Sequence, residues 1–143
     1  MARNFLSRSK LVKLADHGAS TTDAITSSIV DTAGYESAVF FTSFSTANAT
    51  NSIKIQQNTA NQTTGMADLL GSSVASGTSD EDVIIEITKP QERYLQVVVT
   101  RGVATTCESI WCVLYNGNGG LAANSVSGTQ IAEQSSSPIE GTA

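Results

Sequence analysis

Apolar and polar residues alternate with a period of two along most of the chain, and turn-forming residues cut the alternation into short runs. Residues 23–30 set Ile25, Ser27 and Ile29 against Ala24, Thr26 and Ser28, and Ala33-Gly34 ends that run. In residues 35–44, Ala38, Phe40 and Phe44 share one side with Thr42, while Val39 and Phe41 point the other way. Residues 52–58 place Ile53 and Ile55 opposite Lys54 and Gln56, the pattern of a half-buried strand. Residues 66–74 hold Leu69-Leu70 and then Gly71, which predicts a short or bulged strand. Val83, Ile85 and Ile87 alternate with Ile84, Glu86 and Thr88 until Lys89-Pro90 ends the ladder, because proline has no N–H to donate. Residues 93–101 and 109–115 show little polarity on either side, which predicts central strands or an oligomer contact.

About seven strands and no convincing long helix predict an all-β fold, an antiparallel β-sandwich or jelly roll. The domain is expected over residues 23–115, between an N-terminal arm at 1–22 and a C-terminal arm at 116–143. Leu6, Leu11, Val12 and Leu14 lie among cations with poor periodicity, so the first arm is read equally as a short amphipathic helix or an extended segment. The second arm opens on Asn116-Gly117-Asn118-Gly119-Gly120 and has only Leu121, Val126, Ile131 and Ile139 as larger apolar residues. A free segment of that composition does not order itself. Both arms are therefore expected to be held by other subunits of an assembly.

Composition sharpens the strand reading. The apolar set leans β-branched, with 11 Val and 10 Ile against 8 Leu, and branched side chains suit a pleated surface. No apolar run approaches the roughly 20 residues of a membrane-spanning helix. Arg8, Lys10 and Lys13 interrupt the first apolar stretches, so no secretory leader is expected. On that ground the sequons at Asn48 and Asn61 are read as coincidental.

Charge is unevenly placed. Arg3, Arg8, Lys10 and Lys13 are half of the eight basic residues, and no acid falls among them, whereas the rest of the chain holds all thirteen acids. The acidic body repels nucleic acid, and the basic arm is attracted to acidic surfaces. Arg3, Phe5, Arg8, Lys10 and Lys13 are the candidate partner contacts.

The chemistry-bearing residues are few. One His and two Cys exclude a multi-His metal site or a zinc cluster. Ser7-x-x-Lys10 lacks the partner motifs of a Ser–Lys nucleophile, and Gly117-x-Gly119-Gly120 lacks the spacing of a phosphate cradle. Asp80-Glu81-Asp82 reads as a solvated turn, and His17 as a structural or exposed residue. Cys107 and Cys112 are read as free thiols, since five positions along one strand exceed disulfide reach. No catalytic residue, cofactor or metal is expected. Trp111, Tyr115 and Tyr94 are candidates for one aromatic cluster, read as packing in preference to a sugar platform.

The run Gly34-Tyr35-Glu36-Ser37-Ala38-Val39-Phe40-Phe41 resembles a strand found in small virion proteins of tailed bacteriophages. The resemblance continues through Ile53-Lys54-Ile55-Gln56-Gln57, Ala67-Asp68-Leu69-Leu70-Gly71 and Arg93-Tyr94-Leu95-Gln96-Val97-Val98-Val99, and covers roughly residues 23–115. It implies a capsid cement or decoration protein, present in the virion and assembled in the bacterial cytoplasm. It further implies the major capsid protein as partner and self-association as a trimer. A head–tail connector or tail component, or a glycan-binding module, is the alternative role.

Overall fold

The computed structural model describes residues 8–116. Over this span the fold is all-β and every strand pair is antiparallel. Seven strands have four residues or more: β1 (Lys10–Ala15), β2 (Gly18–Thr21), β5 (Ser37–Ser43), β6 (Ser52–Asn58), β9 (Asp82–Thr88), β10 (Tyr94–Thr100) and β12 (Ile110–Tyr115). Five are short: β3 (Ile25–Thr26), β4 (Val30–Asp31), β7 (Ala67–Asp68), β8 (Val74–Ala75) and β11 (Thr105–Cys107).

The pairings are nested. Strand β1 pairs β12, β2 pairs β11, β3 and β4 pair β10, β5 pairs β9, and β6 pairs β7 and β8. The chain is thus one long hairpin whose apex is the polar loop after Asn58. Rolling it up adds the pairs β12–β5 and β10–β6. This yields sheet I in the order β1-β12-β5-β9, and sheet II with β10 and β6 at its centre, β3 and β4 on one flank and β7 and β8 on the other. That topology is a jelly roll.

One core lies between the sheets. Sheet I supplies Leu14, Ala38, Phe40, Val83, Ile85, Cys112 and Leu114. Sheet II supplies Val30, Ile53, Ile55, Leu95, Val97 and Val99. These are the alternate positions of each strand, so the period-two pattern converts directly into one inward face per sheet. Strands β10 and β12, with little polarity on either side, occupy interior sheet positions, as expected.

The segment expected as an arm through residue 22 is instead partly folded. Residues 10–15 form the edge of sheet I, and residues 18–21 pair with β11. Leu14 is buried in the core and Val12 packs against it, with the register shifting between Lys13 and Ala15. That irregularity hides the alternation from a reading of the sequence. The pairing is long-range: Lys10 sits opposite Leu114.

The run at residues 23–30 is not one strand but two, and the run at 66–74 likewise divides. Serine fills each gap. The Ser27 hydroxyl accepts from Val97 N–H at 3.0 Å, and the Ser72 hydroxyl accepts from Ile55 N–H at 3.0 Å. Val97 and Ile55 are themselves register partners, so Ser27, Val97, Ile55 and Ser72 form one row across sheet II. Gln96, buried on the outer side, donates to Ser27 C=O at 2.7 Å. Both flanks of sheet II are thereby kept short, which removes a template for edge pairing.

Arg101 locks the end where the β2–β11 pair sits. Its buried guanidinium donates to Ala19, Asp23 and Thr105 carbonyls and to the Thr21 hydroxyl, at 2.6–3.0 Å. Next to it the chain approaches itself closely. A Cβ on Gly102 would collide with the Thr50 side chain, while Gly102 N–H donates to the buried Asn51 amide oxygen at 3.0 Å.

Candidate functional site

The outer face of sheet I is the candidate site, and the register builds it row by row. One row reads Lys13, Trp111, Phe41, Ile84; the next reads Leu11, Val113, Val39, Glu86. Six of these eight side chains are apolar. Ile84 is 67% exposed, Glu86 is exposed as well, and the other six are half-buried. Water-facing positions of an antiparallel sheet are ordinarily polar. A contiguous apolar patch on that side marks an interaction surface.

At one end of the face the side chains part into a groove of about 420 Å³. Phe41, Ile84 and Trp111 form its apolar wall, and Asp82, Glu108, Ser43 and Ser109 its polar rim. Lys13 reaches over Trp111, its Nζ 5.9 Å from the ring centroid, and pairs with Asp16 at 2.6 Å. His17 Nδ1 lies 3.1 Å from Glu108 Oε2, so the rim carboxylate is tied to the turn between β1 and β2. Toward the other end, the Tyr115 hydroxyl donates to the Glu86 carboxylate, and that contact raises the phenol above its ordinary pKa.

Among the described residues, no cluster of three or more His, Cys, Asp or Glu is placed to hold a metal ion, and no helix is long and apolar enough to cross a membrane. The two thiols are free and buried; Cys112 is pushed up to about 12 by burial, and burial raises Cys107 as well.

Of the predicted contact residues, Arg3 and Phe5 lie outside the described residues, as does the C-terminal segment after Asn116. Arg8 is exposed just before β1. Lys10 and Lys13 belong to β1 rather than to a free arm, because the strand pairs with β12 through its length. Only Lys13 joins the site. The aromatic cluster divides: Trp111 and Tyr115 are on sheet I, whereas Tyr94 is on sheet II beside Asp31 and Asn58. Phe41 and Ile84 are the functional candidates that strand-by-strand reading missed. The signal was the second apolar side of three separate runs, and only the sheet order shows that these sides coincide.

No family model and no curated protein matches the chain. Among solved structures, the PBSX exported protein XepA aligns over 99% of this chain and 46% of its own, at 14% identity and a TM-score of 0.49. The chain therefore spans less than half of that protein. At this distance the likeness identifies neither a family nor a role.

Proposed function

We propose that this is a non-enzymatic structural protein of a phage virion, a capsid cement or decoration protein that works by association. The apolar outer face of sheet I carries the reading. A lone sandwich gains nothing from exposing Ile84 beside the half-buried Phe41 and Trp111, whereas covering them stabilises by roughly 25 cal/mol for each Å² of apolar surface removed from water. The virion-protein resemblance of residues 34–41 supports the setting, since Ser37–Ser43 is the strand that presents Val39 and Phe41 on this face. The basic segment with Arg3, Phe5 and Arg8 supplies a second contact, toward acidic surface on the major capsid protein, and salt weakens it. Several weak contacts on a repeating lattice reinforce one another through effective concentration.

Immunolabelling of purified virions with an antibody against this protein tests the reading. A regular lattice of label over the head is expected. Label at a single vertex replaces cement with connector, and unlabelled virions overturn both.

A further inference from the structure

We propose that the groove at the end of sheet I's outer face is a pocket for an arginine side chain of the partner protein. Its guanidinium is held between Asp82 and Glu108, and its aliphatic stem lies on Phe41 and Ile84 beside Trp111. The inference rests on the reading of that face as a docking surface and names the chemistry it recognises.

The register sets two unlike rows next to each other. Trp111, Phe41 and Ile84 are neighbours across β12, β5 and β9. Two residues along the same face, Ser43 lies opposite Asp82, and on its other side Glu108 N–H donates to Ser43 C=O at 2.8 Å. Ser43 is thus flanked by two acids, and all six residues line the groove. At about 3.3 Å per residue, the acid row lies roughly 7 Å from the apolar one. An arginine side chain suits that step, since it is apolar along its stem and charged and planar at its tip.

Charge selects a cation as the occupant. Lys13 and Asp16 pair at 2.6 Å and cancel, and neither lines the groove. Glu108 has His17 at 3.1 Å, whereas among the described residues no cation pairs with Asp82. Asp80 and Glu81 precede Asp82, and no basic residue falls between Lys54 and Lys89, so the potential at this end is negative. An entirely apolar side chain would strip water from both carboxylates and return nothing to them. A cationic tip offsets that cost. The molecule already contains the arrangement once, on sheet II. There Arg93 lies 5.1 Å from the Tyr94 ring centroid and forks to Asp31, the register partner of Tyr94, through two bonds of 2.7 Å. The groove offers aromatic rings and carboxylates without the arginine. Lysine is a poorer fit, because a point charge neither stacks on a flat indole nor forks between acids.

Trp111 is the single tryptophan of the chain, so its emission and its indole N–H resonance report the groove directly. The full chain is titrated with acetyl-Leu-Arg-Leu-amide and with the same peptide carrying citrulline, which keeps the planar shape and loses the charge. The arginine peptide is expected to bind about fivefold more tightly, the combined effect of one exposed ion pair and one cation–π contact. Asp82→Asn is expected to bring the two peptides within about twofold of each other. Asp80→Asn, the same loss of charge at a residue that does not line the groove, is expected to keep the preference. Equal binding of the two peptides by wild type overturns the inference in favour of a neutral occupant. An arginine peptide that moves neither signal at about 10 mM overturns it too. So does an Asp80→Asn chain that loses the preference as fully as Asp82→Asn, since a diffuse field rather than a pocket then attracts the cation. A lattice of label on virions together with no arginine preference overturns this inference alone. Unlabelled virions with the preference intact overturn the proposed function and leave the groove standing.

Discussion

The two sheets are alike inside and opposite outside. Each turns a row of Val, Ile, Leu or Phe into the shared core. On its outer side sheet II is ion-paired and hydrogen-bonded: Lys54 and Gln56 hold Asp68 at 2.7 and 2.8 Å, and Arg93 grips Asp31 through two bonds of 2.7 Å. Its flanking strands are two residues long. Sheet I shows Trp111, Phe41, Val39, Val113, Leu11 and Ile84 on that side, and both of its edges are full-length strands. Folding requires only the inner faces. The outer faces differ in chemistry: ion pairs and hydrogen bonds cover sheet II, whereas sheet I presents the apolar rows from which association is proposed.

The sharpest way to break this comparison uses adjacent residues. Phe40 is fully buried, and its truncation to Ala is expected to cost about 3–5 kcal/mol of monomer stability in denaturant titration. Phe41→Ala is expected to act on association and to lower monomer stability by far less. Equal losses from the two would mean that the outer face is a second core. Next in size are Ser27→Ala and Ser72→Ala, each expected to cost about 1–3 kcal/mol because a ladder N–H loses its acceptor. If either proves neutral by the same titration, the serine rows do not maintain the broken flanks of sheet II.

The smallest effect is electrostatic. The Arg93 guanidinium hydrogen-bonded to Asp31 holds that carboxyl below its ordinary value. A carboxylate depressed by folding contributes stability above its unfolded value, near 3.8, and loses it as pH falls through the folded value. Thermal melts of wild type and Arg93→Gln are therefore expected to differ at neutral pH and to converge under acid. A difference that persists unchanged in acid would show that Arg93 acts through packing over Tyr94, whose ring centroid lies 5.1 Å away.

The strands at residues 37–43, 52–58, 82–88, 94–100 and 110–115 were legible because their alternation is regular and turns bound them. The strand at residues 10–15 was not, since an irregularity near Leu14 spoils the period and its partner lies about a hundred residues away. The gaps at Ser27 and Ser72 were also hidden. A hydroxyl that replaces a ladder bond reads as one more polar position in a serine-rich chain. Of the site, Trp111 and Tyr115 were visible as neighbours on one strand face, but Tyr94 was wrongly drawn toward them.

By itself the sequence determined what is local: which residues extend, where the chain turns, and which alternate positions are apolar enough to form a core. The order of strands within the sheets belongs to the tertiary structure, since nested pairing joins positions far apart in the chain. That order also decided the site. Apolar residues on the second side of β12, β5 and β9 are unremarkable strand by strand. They become one continuous surface only because long-range hydrogen bonding sets those strands side by side with their outer faces in register.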